Sequence, residues 1–463
     1  MDVAETLARH VAHTTFEDLP PEVVSVTKKS VIDTLGVMIA GSSVDGCKLL
    51  MDYIREWRGR PESTIAVFGD KVPACLAAQA NGAMARALEI DDVLDIFPLH
   101  PSGSIIPACL AVSERRRGIT GKEFITAAAL GHDLAIRLAV STKVSPILSG
   151  RYNLFEVFAF TGSAGKLLGL SEDQLLNAMG IAYSQMVGDG QAAEDGAMTS
   201  YIQQGTRSKS AIEAALMAQK GITGTRNVFQ GQRGFFNAFE PNPNLEMLLS
   251  GLGEAYRGLD LCVKLYSSCR LTHEAIGAAQ ALKEEGLKPN EIAQITARVS
   301  EQCYSLVCQP LDLKYNPKTP VEAQFSLPYT TAAAFVKGDV FIEEVSEQAL
   351  KDRRILDLAR RVTPVMDPQC QTGTSVGALI MEVKTRSNET IVRRVDFPKG
   401  NPKNPASMED CIRKFRKCSS YSARPFPERQ VEKIVELVSD LEKLEDITLL
   451  AGLLAPRLDG VFT

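Results

Sequence analysis

Residues 291–300, EIAQITARVS, decide the fold: Ile295, Ala297 and Val299 alternate with polar neighbours, the period of a half-buried strand. Downstream, GALIMEVKTRSNETIVRRVDF (377–397) repeats the pattern, with Leu379, Met381 and Val383 alternating with Glu382 and Lys384. Residues 387–389 form its polar turn. Between residue 260 and the first strand lies one helical segment, THEAIGAAQALKEEG (272–286). Upstream, the periodicity is helical almost throughout. Pro21 opens a segment whose Val24, Val31, Leu35 and Met38 share one helix face. Ser171 and Gln174 make a capping box, and SKSAIEAALMAQKGITG (208–224) runs as a helix into glycine. Runs such as AAQANGAMARAL (77–88) carry small residues that let helices approach closely. Beyond the loop FPKGNPKNPAS (397–407), Pro427 starts a helix with Val431, Ile434, Val438 and Leu441 on one face. The reading is a mainly α protein: an all-helical domain at 1–262, an inserted α+β lid domain at 263–400, and C-terminal helices at 401–463 that rejoin the first domain.

The composition excludes several classes. At 463 residues the chain is long enough for more than one core, and its 45% apolar and 23% charged content is that of an ordinary folded protein. The net charge of -5, with Lys and Arg scattered, predicts no nucleic-acid partner. The N-terminal residues lack the basic start and apolar run of a signal peptide, and no uninterrupted apolar run is long enough for a bilayer. The ten cysteines are dispersed, without a CxxC pair, so neither a zinc site nor a disulfide framework is expected, and a cytoplasmic location with reduced thiols follows.

The densest chemistry lies in ALEIDDVLDIFPLHPSG (87–103), where Glu89, Asp91, Asp92 and Asp95 precede His100, one of five histidines. DDVLD has the form of a magnesium site for a diphosphate. The chain has no second such cluster, however, and only 6% aromatic residues to line a terpenoid cavity. The acids follow a helix C-terminus, whose partial negative charge disfavours them. Interleaved Ile90, Val93, Leu94, Ile96 and Phe97 keep the segment from being wholly solvated, and Pro98 and Pro101 stiffen the approach of His100. The next helix begins at SGSIIPACLAVSE (102–114), and its first N–H groups suit an anionic substrate. A histidine between carboxylates and a helix start has a tunable pKa near neutrality, as proton transfer requires. A solvated acidic loop is the plainer alternative.

Two further segments are candidates. VKLYSSCRLTHEA (263–275) brings Lys264, Arg270 and His273 to the expected domain junction, where the cations suit substrate carboxylates. They also suit an ordinary hinge surface, and a nucleophilic pairing of Cys269 with His273 has no supporting pattern. GQAAEDGAMTSYIQQGTRSKS (190–210) reads as a glycine-punctuated polar loop between helices, functional or merely connecting. His10, His13 and His132 read as structural or surface residues.

In this order, SVIDTLGVMIAG (30–41), the 87–103 segment, the 195–224 block, VKLYSSCRLTHEAIGAA (263–279), PVEAQFSLPYTTAAAFVKGD (320–339) and KFRK (414–417) resemble the MmgE/PrpD family over nearly the whole chain. The resemblance implies a homodimer with a cleft between a helical domain and a lid. It also implies metal-free removal of a proton next to a carboxylate of a di- or tricarboxylic acid, followed by dehydration, decarboxylation or epimerisation. Asp91, Asp92, His100 and Lys264 match residues that line the family's active site, and Glu89 stands where some members have Asp. Members usually read T-K-P/R where this chain has Thr199, Ser200 and Tyr201, and many have an aromatic-His pair where Asn153 is the nearest candidate. Chemistry carried mainly by His100 and Lys264 follows, with Glu89, Asn153, Ser200, Tyr201, Gln203, Arg270 and His273 as substrate-binding residues. Dehydration is favoured; epimerisation, decarboxylation or ligand binding without chemistry are the alternatives.

Overall fold

The computed structural model describes residues 2–57, 59–143, 149–374 and 376–456. The fold is mainly α and divides into two compact units. The first comprises the chain up to Asp92, Leu99–Leu261 and Ser407 onward; the second comprises Val93–Pro98 and Cys262–Ala406.

In the first unit the helix Pro21–Gly41 begins at its proline and is buried almost continuously from Ser30, including Val31, Leu35 and Met38. The capping box at Ser171 and Gln174 opens the helix Glu172–Tyr183. The helix Met408–Ser419 lies against Pro21–Gly41, where Gly36 lets the Phe415 backbone approach and Lys414 pairs with Asp33 at 2.6 Å. One helix, Gly121–Ser141, is long and apolar enough to cross a bilayer, but its most apolar window is 94% buried within the structure. It also carries His132, Asp133 and Arg137, so its apolar run is interrupted.

The segment read as a polar loop is corrected by the structure. A short helix, Gln191–Glu194, is followed by the helix Thr199–Gln219, which contains TSYIQQGTRSKS whole. Gly205 suggested loop punctuation, yet it serves a helix crossing. A Cβ on Gly205 would overlap the carbonyl of Gln79, and one on Gly82 would come within 2.8 Å of the Gly205 Cα. The two backbones touch where both side chains are absent. Gly205→Ala is therefore expected to destabilise the protein by about 1–3 kcal/mol, despite alanine's better helix propensity, as denaturant unfolding would report.

The second unit contains a four-stranded sheet in the order Val362–Met366, Ile292–Val299, Leu379–Thr385, Thr390–Val395. The first pair is parallel and the other two are antiparallel. Ile295, Ala297, Met381 and Val383 share its core with Ile276 and Leu282 of the helix His273–Glu284 and with Ala332–Phe335 of the helix Leu327–Lys337. The strand Val362–Met366, not read from sequence, carries Pro364 at its centre. It occupies a sheet edge, where a missing N–H is tolerated.

Candidate active site

In the first unit Asp91, Asp92 and His100 come together. His100 Nδ1 lies 2.7 Å from the backbone carbonyl of Asp92 and 3.4 Å from Asp91 Oδ2. A carbonyl only accepts, so Nδ1 carries the proton and the basic lone pair belongs to Nε2. The His100 carbonyl accepts from Gln204 Nε2 at 2.7 Å, and Gln204 Oε1 accepts from Arg207 Nη1 at 3.1 Å. Arg207 is itself fixed by the Tyr152 and Val187 carbonyls and by the Glu156 carboxylate. His100 is thus held at its ring and at its backbone.

The unfavourable placement of acids after a helix has its answer in Arg86. The last residue of the helix Ala74–Arg86, it lies 2.5 Å from Glu89 and 3.3 Å from Asp91. It opposes the helix dipole and balances both acids. Glu89 takes a left-handed backbone, φ 56°, which turns the chain back towards Arg86.

Asp92 faces the other way. Its carboxyl accepts from the Ser102 amide at 3.3 Å and is in short contact with the Ser102 hydroxyl. Of the first N–H groups of the helix Ser102–Arg116, expected to suit a substrate anion, that of Ser102 is taken by Asp92. Burial pushes the Asp92 carboxyl up to about 8, with Asp91 and Asp33 adding to the rise and Ser102 opposing it. A carboxyl raised in the folded state contributes stability below its unfolded value and loses it as pH rises through the folded one. Wild-type stability is expected to fall between about pH 4 and 8, and Asp92→Asn should flatten part of that slope in urea titrations at several pH values.

The third acid of DDVLD diverges. Asp95 belongs to the second unit, where the Arg270 guanidinium grips it with a two-pronged fork, at 2.8 and 3.0 Å, and Asn401 Nδ2 donates at 2.8 Å. Burial would raise its pKa, but Arg270 and Asn401 outweigh that and hold it low. The carboxylate Arg270 binds is thus Asp95's own. His273 lies behind it, 3.4 Å from Arg270 and edge-on to Tyr266. Burial pushes nearby Glu274 up to about 8, with Arg270 opposing. Lys264 is 1% exposed, in a stretch set by the hydrogen bond from Val263 to the Gly400 carbonyl. Gly400 has φ 92° and no room for a Cβ beside Val263.

The remaining expected residues lie in the first unit. Asn153 is buried, left-handed at φ 50°, and its carbonyl accepts from the Glu156 amide. Ser200 is half-buried in the first turn of Thr199–Gln219, and Gln203 ties that turn to Asp189. Tyr201 is directed at Gly46, where a Cβ would overlap its hydroxyl. Arg86, Ser102, His132, Glu156, Gln204 and Arg207 were missed. Arg86, three residues before Glu89, and Gln204, three before Arg207, had local signals; Ser102, His132 and Glu156 meet their partners ten or more residues away. Among the described residues no group of three or more His, Cys, Asp or Glu is arranged to hold a metal ion.

A buried imidazole with one basic nitrogen, beside a carboxylate balanced by a guanidinium, is the geometry that proton transfer requires. The MmgE/PrpD N-terminal domain model matches residues 5–248 and the MmgE/PrpD C-terminal domain model matches residues 266–442. The chain belongs to the MmgE/PrpD family. It is 26% identical to a cis-aconitate decarboxylase of Aspergillus terreus, over 95% of this chain and 93% of that one. The human cis-aconitate decarboxylase is 25% identical, over 98% and 94%. The 2-methylcitrate dehydratase of Escherichia coli is 24% identical, over 90% and 89%.

Proposed function

We propose that this protein is a lyase of the dehydratase type that removes a proton next to a carboxylate of a small di- or tricarboxylic acid. The observation that carries the reading is His100, whose Nδ1 is held on the Asp92 carbonyl so that Nε2 is the base. Its relatives over nearly the full chain are decarboxylases and dehydratases, and the chain is an enzyme of that kind.

In the mechanism, His100 Nε2 takes the proton and Asp91, balanced by Arg86, stabilises the imidazolium that forms. Lys264 holds the substrate carboxylate and the enediolate-like charge that develops on it. Glu89, Asn153, Ser200 and Gln203 set specificity, with the Ser200 hydroxyl and the Asn153 amide standing where the resembled pattern carries Lys and His. Arg270 and His273 shape the Lys264 segment through Asp95. Part of the same proposal is that the second unit serves as a lid on the helical unit, in a cytoplasmic homodimer needing neither metal nor cofactor. Decarboxylation is the second reading, favoured by the decarboxylases among the relatives.

The test is to incubate the protein in D2O with a panel of di- and tricarboxylic acids and follow label at carbon by mass spectrometry, with loss of water or CO2 measured in parallel. Exchange accompanied by water loss is the expected result. CO2 release selects the second reading, and absence of exchange across the panel would make the protein a ligand binder.

A further inference from the structure

Behind the Asp92 carbonyl lies a row of buried polar side chains that the proposed reaction leaves unused. Ser102 Oγ touches the Asp92 carboxyl and lies 2.8 Å from His132 Nε2 and 2.6 Å from Ser30 Oγ. Ser30 Oγ is also 3.3 Å from His132 Nε2. The three residues come from the separate helices Pro21–Gly41, Ser102–Arg116 and Gly121–Ser141, each built mainly of apolar side chains at this depth. Asp92, Ser102 and His132 are all buried, His132 with 1% exposure. Burying such groups is costly unless they bond one another, and a fully bonded set fixes its members in place.

The proton count narrows what the set does. Ser102 has one hydroxyl proton and three neighbours, so its direction is shared with theirs. Burial keeps His132 neutral, its pKa pulled down to about 3, so the ring accepts through one nitrogen and donates through the other. With Asp92 protonated, the acid donates to Ser102 and Ser102 donates to His132 Nε2. With Asp92 ionised, the order reverses. In either order the carboxyl of Asp92 is clamped from inside the helical unit. The same residue's carbonyl, a few bonds away, receives His100 Nδ1. Lys414 Nζ, which pairs with Asp33, bonds the Ile90 carbonyl at 2.5 Å and holds the preceding residues of this turn.

We propose that His132, acting through Ser102 and the Asp92 carboxyl, is a positioning residue that keeps the Asp92 carbonyl on His100 and so fixes the His100 tautomer with Nε2 basic. The consequence for catalysis rests on the proposed function, but the tautomer can be read without substrate.

The experiment is NMR of the full chain with 15N-labelled histidine, which gives ring signals from only five residues. His100 is assigned by loss of its signals in His100→Gln. In the wild type His100 should show a protonated Nδ1 and a bare Nε2. His132→Phe and Ser102→Ala should each shift His100 towards a mixture of tautomers. Deuterium exchange should fall roughly 10- to 100-fold, through kcat more than KM, the size expected when a reacting group is misplaced by a fraction of an ångström to an ångström. His132→Gln, whose amide oxygen can accept from Ser102, should restore most of both. Unchanged His100 signals in a folded His132→Phe or Ser102→Ala variant overturn the proposal, and Ser102→Ala decides the matter if the larger ring does not fold. A tautomer shift without exchange by the wild type on any acid would leave the positioning standing and remove the lyase reading.

Discussion

Replacing His100 with alanine is expected to lower deuterium uptake from solvent by about 10²- to 10⁴-fold, the usual worth of a positioned general base. The loss should appear in kcat, with substrate affinity largely kept, because the proposal assigns carboxylate binding to Lys264. The fold should survive. Truncation leaves the His100 backbone carbonyl on Gln204, and the Asp92 carboxyl remains on Ser102. Asp91→Asn should cost less, since the amide oxygen can still face Nδ1 while the counter-charge is lost. Undiminished exchange in His100→Ala would remove the base from the mechanism and leave the acids without a proton acceptor.

The second large effect concerns stability. Arg207 and Glu156 form an ion pair whose side chains are 0% and 1% exposed. Removing the cation in Arg207→Met leaves a carboxyl in an apolar interior, and breaking such a pair costs about 3–5 kcal/mol. Denaturant unfolding should show the loss, and its pH dependence has a definite sign. Burial raises Glu156 to about 7, against the opposing charges of Arg207 and Arg86. Its contribution to stability is therefore full below the ordinary carboxyl range and fades as pH climbs towards 7. Without Arg207 the carboxyl rises further, so the fading continues to higher pH. The penalty of Arg207→Met should be larger at pH 9 than at pH 6, where a protonated Glu156 is neutral. A pH-independent penalty would mean that lost packing and hydrogen bonds, not charge, dominate the site.

The same variant links stability to the site. Arg207 orients Gln204, and Gln204 holds the His100 carbonyl. A drop in deuterium exchange alongside the drop in stability is the coupled outcome expected of that chain.

Much of this molecule was legible in local sequence. Period-two alternation at 291–300 and 377–397 marked strands, and Ser171 with Gln174 marked a helix start, because these patterns depend on neighbours within a turn or two. His100 and its acids stood out because five of the groups concerned lie within twelve residues, from Glu89 to His100. The same signals misled at Gly205, where a glycine looks alike in a loop and at a helix crossing.

What sequence could not determine was direction. DDVLD reads as one acidic cluster, yet Asp91 faces Arg86 and His100, Asp92 faces Ser102, which in turn bonds His132, and Asp95 is bound by Arg270, 175 residues away. His132, unremarkable in its helix, becomes part of the site only when three helices bring it to Ser102. Local periodicity sets which residues form a helix or strand, because those forces act between near neighbours. Which carboxylate is neutral, which is paired and which steadies a histidine depends on burial and on partners far along the chain, and those exist only once the helices have packed.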